Sequence, residues 1–386
     1  MKTFFRYILL MLLLTMQLQV TAQKQKTKVS FKDSLDGKFD MSSFLIDANG
    51  FIPLLTIVTE PALGGFGLAG GPIFMKKRPP IVDTIDGQPR YTPVAPDITG
   101  GGALWTINNT WGAVAARSGM WVKARIKYRV VGGYMNINAA FYHTFQTIGE
   151  QEFKFNIKTI PLYAFGIKRI ARSNWYGGLQ YLLLKSQVKL QNNEQLPSFV
   201  TDKEVNSFVS QPGAIIEFDN RDNIFTPNSG LKFHVDGGWS DNIFGSDFDF
   251  GRINYYTYMY KPFGRKVIGG LRIDGQQSIG TPPFYMLPYI DMRGIPAARY
   301  QGKADILTEG EVRYDVVPRW SIVGFGGTGK AFDDWSDFGS SKWIYSYGAG
   351  FRYLVARKFK LRMGIDVAAG PDSWGYYIVF GSEWLK

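Results

Sequence analysis

From Asn49 onward the chain alternates. In Lys360-Leu361-Arg362-Met363-Gly364-Ile365-Asp366-Val367 every second residue is apolar, and the residues between are charged or glycine. The same period of two runs through Leu231-Lys232-Phe233-His234-Val235-Asp236, Leu271-Arg272-Ile273-Asp274 and Phe153-Lys154-Phe155-Asn156-Ile157-Lys158. Successive side chains of a strand point to opposite faces, so this pattern predicts β-strands with one apolar and one polar face. No 3.6-residue helical period is sustained in the chain that follows residue 22.

Segments of this kind fall at 49–60, 63–76, 98–107, 110–119, 122–142, 152–170, 174–191, 208–219, 230–241, 249–261, 265–278, 304–316, 320–331, 343–356, 360–370 and 374–386. The reading is sixteen strands, with fourteen as the alternative. A soluble sandwich also alternates, but its strands typically run about 5–6 residues. Here the segments are longer, the apolar face carries aromatics near segment ends (Trp343, Tyr345, Tyr353), and the other face carries charges of both signs and many glycines. A charged face cannot be a sandwich core, but it suits a wet lumen. The pattern therefore predicts an all-β fold, a transmembrane antiparallel β-barrel of about sixteen strands over residues 49–386. An even count puts both chain ends in the periplasm. The connections 192–207, 279–303 and 332–342 are then extracellular, Pro318-Arg319 and Arg357-Lys358-Phe359 are tight periplasmic turns, and Lys77–Asp97 is an unusually long, proline-rich periplasmic connection.

The N-terminus fits export to that location. Lys2 and Arg6 precede the apolar run Tyr7–Leu14, and Val20-Thr21-Ala22 offers a cleavage site, so residues 1–22 read as a secretory signal peptide. Residues 23–48, polar and lysine-rich, read as a periplasmic lead. The 386-residue chain has a formal charge of +12, from 44 Lys+Arg against 32 Asp+Glu, and losing Lys2 and Arg6 leaves +10. On an exported barrel, Lys and Arg of loops and turns meet anionic head groups. Outer-membrane lipid and lipopolysaccharide are thus the expected partners, and nucleic acid is not. There is no cysteine and only His143 and His234, which excludes thiol catalysis and Cys-ligated metal and argues against a multi-histidine site. No cofactor is expected.

Four motifs follow one another along the second half. They are Glu217-Phe218-Asp219-Asn220-Arg221-Asp222-Asn223 with Pro227 and Gly230; Pro288–Tyr300, which contains Arg293-Gly294-Ile295; Glu309-Gly310-Glu311-Val312-Arg313; and Phe325-Gly326-Gly327-Thr328-Gly329-Lys330. This ordered set resembles the BamA/TamA superfamily of outer-membrane proteins, the bacterial surface antigen family, from about residue 211 to the end. The resemblance implies that the long sixth extracellular loop folds into the lumen. Its Arg-Gly-aromatic tip matches Arg293, Gly294 and Ile295, with Ile in the aromatic's place, and its arginine pairs with wall acids, matched here by Glu311. The family's aspartate on the next strand is replaced by Gly327, which implies one acidic partner rather than two. From the alternation alone, Arg293 reads as a solvated, unpaired loop residue; the resemblance implies the anchor. Gly381 and Trp384 resemble the C-terminal strand signal and the kinked closing strand of the family, although Lys386 stands where an aromatic is usual. The Asp219–Asn223 motif reads as turn geometry.

The function implied by the resemblance is outer-membrane protein assembly, insertion or translocation, with unfolded outer-membrane clients and a periplasmic partner. The family's POTRA domains would not fit within residues 23–48. The alternative is a passive diffusion pore or structural barrel. Gly65-Phe66-Gly67-Leu68-Ala69-Gly70 matches a dinucleotide fingerprint, but no βαβ unit surrounds it, and it reads as a glycine-rich strand. His234 beside Asp236 is the nearest approach to a catalytic pair, and no enzymatic role is expected.

Overall fold

The computed structural model describes residues 30–384 except 48–50, 77, 86–87, 93, 95, 146 and 192–195; the expected signal peptide lies outside the described residues. Sixteen strands form one antiparallel sheet curled into a nearly closed barrel. They are β1 (Phe51–Val58), β2 (Gly67–Lys76), β5 (Asp97–Thr106), β6 (Trp111–Trp121), β7 (Ile126–Phe145), β8 (Gly149–Arg169), β9 (Trp175–Leu190), β10 (Asn206–Asp219), β11 (Gly230–Ser240), β12 (Phe250–Phe263), β13 (Val267–Gly280), β14 (Ala304–Val317), β15 (Trp320–Phe332), β16 (Ile344–Ala356), β17 (Leu361–Ala369) and β18 (Trp374–Phe380). The expected count and order hold. The long connection after β2 contains a separate hairpin, β3 (Ile81–Ile85) with β4 (Gln88–Thr92). The largest boundary difference is at the end, where the last strand stops at Phe380.

The longest connections, 191–205, 281–303 and 333–343, lie on one rim, and the tight turns 264–266, 318–319 and 357–360 lie on the other, which also carries the 77–96 connection. The register puts the alternation to work. Glu217 pairs with His234, His234 with Tyr256, Tyr256 with Asp274, and Arg272 with Glu309, all on the inner face. The outer face is apolar, with Leu55 and Leu179 76% and 72% exposed. Such a surface is stable only against lipid, where only closed sheets and helices satisfy their backbone groups. Aromatics ring both ends of that band: Trp121, Tyr128, Trp175, Trp320 and Tyr353 below, and Trp105, Trp111, Tyr345 and Trp374 above.

Strands β8 and β9 outrun the apolar band. Along β8 the outer face changes from Ile160 and Leu162 to Lys158, Asn156 and Lys154; along β9 it changes from Tyr181 and Leu183 to Lys185, Gln187 and Lys189. Inside this extension Phe141, Phe155, Ile157, Val188, Val200 and Phe284 pack together, so an apolar dome closes the top of the lumen. At the opposite mouth Ile81 of the hairpin packs on Met120, Ile167, Tyr176 and Ile215 of the wall.

Part of the expected lead is folded. Residues 30–47 form a turn closed by a Lys32–Phe39 bridge and a short helix α1 (Ser42–Asp47). This unit docks under β14–β17. Arg319, 1% exposed, donates Nε to Asp36 at 2.6 Å, Nη1 to Asp40 at 2.8 Å and Nη2 to Asp33 at 2.6 Å. Arg357 donates a second guanidinium to Asp33, and Leu45 packs on Val355 and Ala356.

Candidate functional site

The connection between β13 and β14 enters the lumen. Its tip is positioned by glycine. Gly294 has φ +83°, and a Cβ there would stand 2.8 Å from the Ala369 carbonyl carbon, so only glycine fits between the loop and β17. Its N–H donates to the Tyr377 hydroxyl at 2.7 Å, and its carbonyl accepts from Ser373 at 3.0 Å.

Arg293, 4% exposed, meets three carboxylates. Nη1 donates to Asp366 at 2.6 Å, and Nη2 donates to Glu309 and, at 3.1 Å, to Glu311. The guanidinium carbon also lies 3.4 Å from the centre of the Phe325 ring. A buried guanidinium is tolerated only when paired and hydrogen-bonded, and its fork fits carboxylates on two sides. Arg352 holds Asp366 from the far side, at 2.8 Å. Arg272 donates to Asp274 at 2.7 Å and to Asp291 of the loop at 3.4 Å. Ile295 is buried with Ile290, Met292, Leu307 and Ile344; an apolar contact on the wall takes the place of the expected aromatic.

The structure corrects the expectation of one acidic partner. Gly327 does face the lumen where an aspartate was expected, but a Cβ there would lie 2.6 Å from the Thr308 carbonyl and 3.0 Å from Glu309 Cβ. The missing side chain leaves room for Glu309, and Asp366 two strands on supplies the third carboxylate. Asp366 was legible as an inner-face residue of the Lys360–Val367 alternation; its convergence on Arg293 was not.

The barrel's seam lies beside this anchor. Strands β1 and β18 are neighbours, yet no ladder joins them among the described residues. On the β1 side Pro53 stands opposite Pro72 of β2, which removes two amide donors next to the edge. On the β18 side the chain leaves the sheet at Gly381, φ +81°. Ser382 N–H then donates to the Phe225 carbonyl at 2.7 Å, and Trp384 turns into the lumen. Trp384 is 2% exposed, packs at a tilt against Tyr258 and Tyr260 with ring centres 6.0 and 5.7 Å away, and donates its indole N–H to Glu309 at 3.4 Å. Gly381 and Trp384 therefore act where strand and lumen meet. Trp384 lies beyond the last strand rather than on it.

The remaining motifs are structural. Asn223 accepts from the Phe225 and Thr226 amides, both at 2.8 Å, and Asp222 accepts from Asn228 and Ser229, which shapes the turn expected there. His234 places Nδ1 3.3 Å from Glu217 and Nε2 3.3 Å from Asp236 and stacks on Tyr256. Gly67–Gly70 lies on β2 with no helix after it.

A sixteen-stranded membrane barrel with a loop arginine locked to its inner wall is the class these features define. By sequence, neither a family profile nor a curated protein matches the chain. Among solved structures it is similar to BamA from Haemophilus ducreyi lacking POTRA domains 1–3, with TM-score 0.57 and 11% identity over 85% of this chain and 69% of that one. It is also similar to CdiB from Escherichia coli (TM-score 0.56, 10% identity, 85% of this chain and 62% of that one) and to CdiB from Acinetobacter baumannii (0.54, 11%, 86% and 59%). At these identities the likeness is one of fold.

Proposed function

We propose that this barrel serves outer-membrane protein assembly, inserting or translocating client chains from the outer membrane of a Gram-negative cell. The unladdered β1–β18 seam carries the reading. An open edge presents unpaired N–H and C=O groups to a neighbouring strand, and β1 offers an eight-residue edge broken only at Pro53, which has no N–H. The Arg293 anchor supports the same reading, because it braces the wall from β14 to β17 while the seam stays free. A client strand adds at the edge of β1, with a periplasmic partner delivering the unfolded chain and lipid or lipopolysaccharide around the outer face. A passive pore is the weaker alternative, since the dome and the loop stand in its path. No enzymatic step is invoked: both nitrogens of His234 are engaged by carboxylates.

The test is reconstitution. Liposomes holding this protein should speed the folding of a separate outer-membrane barrel relative to empty liposomes. A disulfide engineered between β1 and β18 should abolish the gain, and reduction should restore it. Equal folding rates with and without the protein, or full activity with the seam locked, would overturn the reading.

A further inference from the structure

Below the dome a chamber of about 410 Å³ remains between the inner wall and the loop, within the roughly 300–1,000 Å³ typical of small-molecule sites. Its wall is unlike the ion-paired lumen around Arg293. Gln180, Gln211, Asn254 and Gln276 contribute amides, Arg252 a guanidinium, and Tyr163, Tyr285 and Tyr289 aromatic rings.

Several of these groups are unused. Gln211 is 5% exposed and its Nε2 has no hydrogen-bond partner; Asn254 Oδ1 is buried and has none either. Beyond the backbone ladder, no hydrogen bond or ion pair of the Arg252 or Gln276 side chain is found among the described residues. Asp236, the acid of this wall, is already occupied, accepting from Gln180 at 2.8 Å and Asn254 at 2.9 Å and facing His234. A buried unpaired amide costs about 1–3 kcal/mol and persists where something else satisfies it. The chamber thus offers a free cation, a free amide donor and a free amide acceptor beside tyrosine rings.

We propose that this chamber is a binding site for an acidic saccharide, a hydroxylated ring of monosaccharide size bearing one carboxylate. Arg252 pairs with the carboxylate, and the forked guanidinium suits that group. Gln211, Asn254 and Gln276 meet hydroxyls, which both donate and accept, and the tyrosines cover the C–H face of the ring. Neutral lumen water could satisfy the amides but gives Arg252 no counter-charge. The site is independent of the assembly role proposed above, since it uses none of the anchor or seam residues.

Glucuronate, glucose and acetate are the probes, titrated calorimetrically into the full barrel in detergent. Glucuronate should bind saturably and about tenfold more tightly than glucose. Acetate should compete weakly. Arg252→Gln should bring glucuronate down to the level of glucose, and Gln211→Leu should weaken both sugars. A heat-modifiable gel shift verifies that each variant is folded, and Lys185→Gln, on the outer face, should leave binding unchanged. Equal binding of the two sugars, acetate as effective as glucuronate, no saturable binding, or unaltered affinity in folded Arg252→Gln would each overturn the proposal.

Discussion

Arg293 shows how one side chain fixes a loop that could otherwise be solvated. Its three carboxylate partners lie on two strands, and one of them, Asp366, is shared with Arg352. Replacing Arg293 with Ala leaves Glu309 buried at 1% exposure with only Arg272, 3.8 Å away, as a cation, and leaves Asp366, at 0% exposure, to Arg352 alone. Breaking a buried pair in this way typically costs about 3–5 kcal/mol. Arg293→Ala should therefore lower the melting temperature and the yield of heat-modifiable folded barrel, and Arg293→Lys should restore only part, because an ammonium cannot reach acids on two sides at once. A melting temperature equal to wild type would show that the loop is held by other contacts. The arginine and Glu311 were legible through their motifs. Glu309 was visible only as an inner-face acid, and Asp366 stands some seventy residues away, where no local pattern ties it to the loop.

At the scale of elements, the period of two made the barrel strands legible, because side-chain direction follows from it directly. Two elements escaped it. The β3–β4 hairpin lies in a proline-rich connection where turn residues mask alternation. Residues 30–47 look solvated by composition, and their aspartates gain meaning only against Arg319 and Arg357 in distant turns. That docking sets a pH dependence. A hydrogen bond from Arg357, with the Leu35 amide, holds the Asp33 carboxyl far below the usual carboxylate range, and one from Arg319 lowers Asp36. Burial alone would raise Asp40, but hydrogen bonds from Ser42 and Arg319 outweigh it and lower it. Because the folded values are depressed, the stabilisation is present above the unfolded carboxylate value near about 4 and is lost as pH falls through the folded values. Amide hydrogen exchange over residues 31–45 should therefore be slow at neutral pH and still protected at pH of about 5. Protection relative to the intrinsic exchange rate should fall only in stronger acid, whereas Arg319→Ala should release the segment at neutral pH. Protection that survives in Arg319→Ala would mean that the apolar contacts of Leu45 suffice.

At the scale of the whole molecule, the lumen is obstructed at three levels. The dome around Phe155 and Phe284 closes the extracellular end, the loop locked by Arg293 occupies the middle, and Ile81 of the hairpin packs into the periplasmic mouth. These obstructions differ in strength. The anchor is charge-locked and the dome is a packed apolar cluster, whereas the hairpin contributes one buried side chain, Ile81, to its contact with the wall. Single-channel recordings in planar bilayers should accordingly give low, flickering conductance, with the flicker coming from the hairpin. Lys76 of β2 already pairs with Asp97 of β5, so a short Gly-Ser turn in place of residues 79–95 joins the strands without moving them. That variant should lose most of its flicker and gain little steady current, because the dome still closes the far end. Combining it with Arg293→Ala, which frees the loop that supplies Phe284 to the dome, should open a larger and steadier path. A wild-type barrel that conducts strongly and without interruption would mean that these obstructions do not occupy the lumen in the membrane, and the passive-pore reading would then take precedence over assembly.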